Sequence, residues 1–109
     1  MTDTRTVLDQ LVAARRDRSG EQAAGLLADD VRYWDCERGE VAGRSAVAAA
    51  LIAREARVEV ETVAVGGADA VLELQLEERG RRYRSTEVYT LSGDAVTSIK
   101  AYFDPDARS

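Results

Sequence analysis

The hydrophobic positions of this chain change period once, after about residue 57, and the change separates a helical part from a strand-rich part. Val7, Leu8, Leu11 and Val12 recur at helical spacing, which predicts an amphipathic first helix over residues 3–18. Ser19 and Gln22 form a capping-box pattern, so a second short helix is expected from about residue 20 to residue 28. The run VRYWDC at 31–36 reads as a short strand, followed by a polar loop containing Gly39 and Gly43. Ala46, Val47, Ala50 and Leu51 mark a third helix, with Ser45 as its N-cap and an end near residue 56. Beyond it the apolar residues alternate, which predicts strands at 58–65, 70–77, 83–91 and 95–103. Gly66-Gly67, Gly80 and Ser92-Gly93-Asp94 supply tight antiparallel connections, because glycine accepts positive φ cheaply. The expected order is ααβαββββ, one α+β domain over residues 1–109.

Alternation also assigns faces. Leu72, Leu74 and Leu76 share one side of their strand and are expected to be buried, with Glu73, Gln75 and Glu77 opposite. Ile99, Ala101 and Phe103 group together, leaving Lys100 and Tyr102 on the other face. Ser85, Glu87, Tyr89 and Leu91 share a face of the strand between them. Trp34 alternates away from Asp35, which favours outer packing or a subunit contact. Asp35 is the residue to explain: a lone carboxylate in an otherwise apolar strand pattern.

Composition narrows the function classes. A length of 109 residues fits one hydrophobic core. The formal charge of −5 argues against a nucleic-acid partner, which needs clustered cations. Arg81, Arg82 and Arg84 flank Gly80 and read as a solvated turn. With no histidine, a zinc centre and a His-assisted nucleophile are excluded, and no metal or other cofactor is expected. Cys36 is the sole cysteine, so no internal disulfide can form. The segment MTDTRTVLDQ has no cationic start followed by an apolar run, so neither an export signal nor a membrane helix is expected, and the expected location is cytoplasmic.

In this order and spacing, the chain resembles the nuclear transport factor 2-like superfamily, and within it the SnoaL-like polyketide cyclases and ketosteroid isomerases. LLADDVRYWD is similar to that family's helix-to-strand junction, GRSAVAAAL to the opening of its third helix, and IKAYFDP to a closing strand shared with limonene-epoxide hydrolases. The resemblance implies a curved antiparallel sheet wrapped around three helices into a cone with a hydrophobic interior, and a homodimer joined through the outer sheet face. It also implies that Asp35 stands where ketosteroid isomerases keep their proton-shuttling carboxylate, and Glu87 near their second carboxyl group. Leu11 falls where the family keeps a catalytic phenol, so Tyr33 or Tyr89 would have to replace it. Ala101 falls where limonene-epoxide hydrolases carry an essential aspartate.

These residues suggest a cofactor-free acid/base site, because proton abstraction beside a carbonyl needs a base near the carbon and a donor near the oxygen. Asp35 would be the base, its pKa raised by apolar surroundings, and a protonated Glu87 the donor, helped by Tyr33 or Tyr89. The ligand-binding wall would be Leu11, Leu51, Leu72, Leu74, Ile99, Ala101 and Phe103. The expected function is isomerisation or cyclisation of a small apolar carbonyl metabolite. The competing reading is a non-catalytic pocket or dimerisation module, in which Asp35 only hydrogen-bonds the loop after its strand. For Glu87 the competing reading is an exposed carboxylate paired across the sheet with Arg84 or Lys100.

Overall fold

The computed structural model describes residues 3–52, 56–78 and 80–104. Three helices, α1 (Thr4–Arg16), α2 (Gly20–Gly25) and α3 (Arg44–Ile52), pack on a sheet of six strands. The strands are β1 (Leu27–Asp35), β2 (Gly39–Ala42), β3 (Ala56–Gly66), β4 (Asp69–Glu78), β5 (Arg81–Ser92) and β6 (Ala95–Phe103). Their order in the sheet is β2-β1-β6-β5-β4-β3. All neighbours are antiparallel except β1 and β6, which run parallel. The sheet is curved and unclosed, and the expected α+β class holds.

Local chemistry sets most of the boundaries. Asp3 caps α1 by accepting from the Thr6 N–H at 2.8 Å, and Arg15 and Arg16 occupy its last turn, where cations favour the helix dipole. The helix ends at Arg16, two residues earlier than its pattern predicts. Arg18 takes a left-handed φ of 55° that turns the chain, and Ser19 then caps α2 by accepting from the Gln22 N–H at 3.2 Å.

Three expectations are corrected. First, α2 stops at Gly25, and residues 27–30 are already strand. Leu27 pairs with Val96 of β6, and the Val96 N–H donates to the Leu26 carbonyl at 2.9 Å, so ladder bonds outcompete extension of a six-residue helix. A register shift between Leu27 and Arg32 leaves Asp29 and Asp30 exposed, with Asp29 paired to Arg44 at 2.7 Å. Second, part of the predicted loop is the edge strand β2. It forms a hairpin with β1 in which Asp35 faces Gly39 and Tyr33 faces Val41. Third, α3 begins at Arg44. Gly43, at φ +95°, takes the cap position expected for Ser45, and its carbonyl accepts the Val47 N–H at 2.9 Å. The expected helix end near residue 56 is too late, since Ala56 opens β3; residues 53–55 lie outside the described residues.

The β3 to β6 meander follows the alternating pattern closely, and β6 has the predicted bounds. Leu72, Leu74 and Leu76 are buried, as are Ile99, Ala101 and Phe103. The helices cover this face. Lys100 and Tyr102 point outward, and the Tyr102 ring packs against Trp34 at a tilt of 54° with ring centroids 5.3 Å apart. Among the described residues no helix is long and apolar enough to cross a membrane.

Candidate functional site

Strand register brings the candidate polar residues into two adjacent rows. Asp35 of β1 stands opposite Ala101 of β6, which stands opposite Glu87 of β5. One step along, Tyr33 stands opposite Ile99, which faces Tyr89. All four polar residues are buried on the inner face. Neighbouring strands lie about 4.8 Å apart, so the two carboxyl-bearing backbones are separated by roughly 10 Å.

Asp35 is wholly shielded from solvent. Its Oδ1 accepts the N–H groups of Glu37 at 2.9 Å and Arg38 at 2.6 Å. Its Oδ2 accepts from Arg38 Nε at 3.0 Å and from the Tyr33 hydroxyl at 3.1 Å. Burial alone would raise the Asp35 pKa and is the largest single influence. The bonds from the Arg38 amide, the Arg38 side chain and the Glu37 amide, together with the Arg38 charge, outweigh it, and the pKa is held below the ordinary carboxylate value. This reverses the expected direction. The arrangement is that of a strand-end aspartate holding the β1–β2 turn, with the Arg38 guanidinium 5.7 Å from the centroid of the Tyr33 ring.

Glu87 is buried at 2% exposure and is not paired across the sheet with Arg84 or Lys100. Its partner comes from α1: Arg15 Nη1 donates to Glu87 Oε1 at 2.7 Å, in a salt bridge buried on both sides. The Tyr89 hydroxyl donates to the same oxygen at 2.6 Å and accepts from Arg15 Nη1 at 3.4 Å. Desolvation opposes the Arg15 charge most strongly, yet attraction to Glu87 and the bond to it raise the Arg15 pKa further above its already high value. Burial and the Glu87 charge push the Tyr89 pKa well above its usual value, so its phenol keeps its proton. A carboxylate paired in this way accepts hydrogen bonds; the expected donor role would require it to be neutral.

Arg15 is the residue that sequence reasoning missed. Its signal was present, because position 15 continues the buried stripe of Val7, Leu8, Leu11 and Val12 at helical spacing.

A cavity of about 20 Å³ lies beside this cluster, lined by Arg15, Tyr33, Ser85 and Glu87 on its polar side and by Leu51, Leu76, Ala101 and Phe103 among its apolar neighbours. That volume suits about one water molecule. The expected wall is therefore divided. Leu51, Ala101 and Phe103 line the cavity, whereas Leu11, Leu72, Leu74 and Ile99 are packed into the core and do not. Asp35 and Tyr89 also stand outside the lining; Asp35 touches it through Tyr33, and Tyr89 through Glu87. Cys36 is exposed, and its thiol donates to the Phe103 carbonyl at 2.9 Å, a contact between strand ends.

No protein-family model matches the sequence, and no curated protein matches it either. Solved structures do match. An NTF2-like protein of unknown function from Cytophaga hutchinsonii superposes with a TM-score of 0.89 at 19% identity, over 97% of this chain and 94% of that one. A protein provisionally named a ketosteroid isomerase, from Kribbella flavida, gives 0.85 at 19% identity, over 93% and 77%. An LEH-like epoxide hydrolase from M. tuberculosis gives 0.79 at 17%, over 93% and 82%. The chain has the NTF2-like fold.

Proposed function

We propose that this chain is a small-molecule pocket protein that binds a compact, neutral, largely apolar ligand beside the Arg15–Glu87 pair, and that Asp35 holds the pocket's rim without transferring protons. The observation that carries this reading is the state of Asp35. A general base needs a free lone pair aimed at the substrate and a pKa near working pH. Asp35 gives both oxygens to the turn and to Tyr33, its pKa is lowered, and it is not among the residues lining the cavity. The acidic charge of the chain supports a small neutral ligand over a nucleic acid.

The competing proposal is an acid/base isomerase or cyclase for an apolar carbonyl compound, favoured by the fold it shares with the provisionally named ketosteroid isomerase. Native mass spectrometry of the purified chain identifies a retained ligand, and incubating that compound in deuterated water with the protein separates the two readings. Retention without deuterium uptake at carbon is the expected result. Uptake that disappears in Asp35→Asn would make the chain an enzyme and Asp35 its base.

We also propose a homodimer through the outer sheet face, supported by the exposed Tyr102 and the half-buried Trp34 packed against it.

A further inference from the structure

Two buried side-chain atoms have no hydrogen-bond partner among the described residues: Arg15 Nε and Ser85 Oγ. Arg15 is 7% exposed and Ser85 2%, and both line the same cavity. Buried polar atoms in folded proteins are nearly always satisfied, so two orphans converging on one void mark a place where something polar binds.

The chemistry of that guest follows from the groups around it. Arg15 Nε–H can only donate, so the guest needs an acceptor. Glu87 takes both of its hydrogen bonds, from Arg15 and Tyr89, on Oε1. Its Oε2 is the oxygen left to accept, so the guest needs a proton to give. The Ser85 hydroxyl can rotate to meet either need. The charges of Arg15 and Glu87 already cancel, and a carboxylate or an ammonium placed between them would be buried without a counter-ion. A ketone meets the arginine but offers nothing to the glutamate. With room for about one water-sized group, the guest must accept and donate through a single heavy atom. Water does this, and so does an alcohol.

Ala50, Leu51, Val58, Leu76, Ala101 and Phe103 complete the apolar lining; Ala50 is half-buried, and Leu51 and Phe103 are the most exposed of the rest, at 8% and 9%. An apolar body attached to the hydroxyl would extend out of the void, past Ala50, Leu51 and Phe103. We infer that the cavity seats the hydroxyl of an otherwise apolar alcohol, with Arg15 Nε–H donating to its oxygen, Glu87 accepting its proton and Ser85 completing the set. This rests on the pocket reading proposed above and gives the ligand its class.

The test uses the full chain and four compounds of one shape: cyclohexanol, cyclohexanone, cyclohexanecarboxylate and cyclohexylamine, followed by calorimetry and by amide chemical shifts. Saturable binding of cyclohexanol, about fivefold or more tighter than cyclohexanone, is expected, since one unmade hydrogen bond costs about that factor. The two charged compounds should not saturate. Ser85→Val, which fills the cavity, should abolish cyclohexanol binding; should that variant fail to fold, Ser85→Ala should weaken binding several-fold with an unchanged thermal midpoint. Ketone or carboxylate binding as tight as the alcohol would overturn the hydroxyl assignment and leave the pocket standing. Absence of binding by all four, with no shift at Leu51, Ser85 or Phe103, would overturn both and leave the void as the seat of a structural water.

Discussion

Asp35 and Glu87 face each other across Ala101 in one row of the sheet, yet each carboxyl group is committed to a different arginine. Two nearby carboxylates would ordinarily hinder one another's ionisation, and acid/base sites exploit that to keep one of them protonated. Here Arg38 from the β1–β2 turn answers Asp35, and Arg15 from α1 answers Glu87. Ala101 between them carries no proton-transfer group. The row is thus two separate ion pairs around a small residue, which suits a neutral binding surface better than a proton relay.

The Asp35 pair predicts the acid limb of stability. Because the folded pKa lies below the unfolded value of about 3.9, the carboxylate's contribution is complete above that value and fades as pH falls through the folded pKa. Asp35→Asn keeps an oxygen for the Glu37 and Arg38 amides but loses the charge facing Arg38. It should cost about 1–2 kcal/mol at pH 7, and the gap should begin to narrow below about pH 4 and close once the pH has fallen through the folded pKa. Urea unfolding across pH 3–7 measures it; a gap constant with pH would assign the cost to packing instead.

The meander was legible because alternation in 70–77 and 95–103 has one solution, a strand with one buried face. The parts that were not legible depend on partners distant in sequence. Leu27 to Asp30 look like a helix end until β6 offers a parallel edge to Leu27. Gly39–Ala42 has only Val41 and Ala42 to mark it as a strand, and it exists because β1 lies beside it. In the site, the inward face of Glu87 and Tyr89 could be read from the alternation. The partner of Glu87 could not, since Arg15 lies 72 residues away in sequence. The direction of the Asp35 shift is set by the two amides of the following turn, which the apolar pattern of the strand does not display.

The capping serine gives a second stability prediction. Ser19 Oγ accepts from Gln22 N–H at the start of α2, and the helix has only six residues. Ser19→Ala should lower stability by about 1 kcal/mol, while Ser19→Asp should be tolerated. Thermal unfolding of both variants checks this, and equal losses would show that the hydroxyl's bond is not what matters.

The outer face predicts an assembly state. Trp34 is the only tryptophan and packs at a tilt against Tyr102, which is 46% exposed. If this face joins two copies, sedimentation equilibrium should give a dimer. Tyr102→Glu should then shift it to monomer and move Trp34 emission to the red. A wild-type monomer at all concentrations would remove the dimer proposal without touching the interior site.

The Arg15–Glu87 bridge allows a cycle that separates the worth of a buried pair from the cost of orphaning one member. Breaking such a pair from one side costs about 3–5 kcal/mol, because an uncompensated charge stays in the interior. Arg15→Met should show that loss in urea unfolding, as it leaves Glu87 with only the Tyr89 phenol at 2.6 Å. Adding Glu87→Gln should recover most of it, since the neutral amide can still accept from Tyr89 and no charge remains buried. The double variant, near wild type in stability, should also lose alcohol binding, because Arg15 Nε–H is gone. If instead the single and double variants are equally unstable, the loss comes from the packing of the arginine's methylenes against the core, and the ion pair is not what holds α1 to β5.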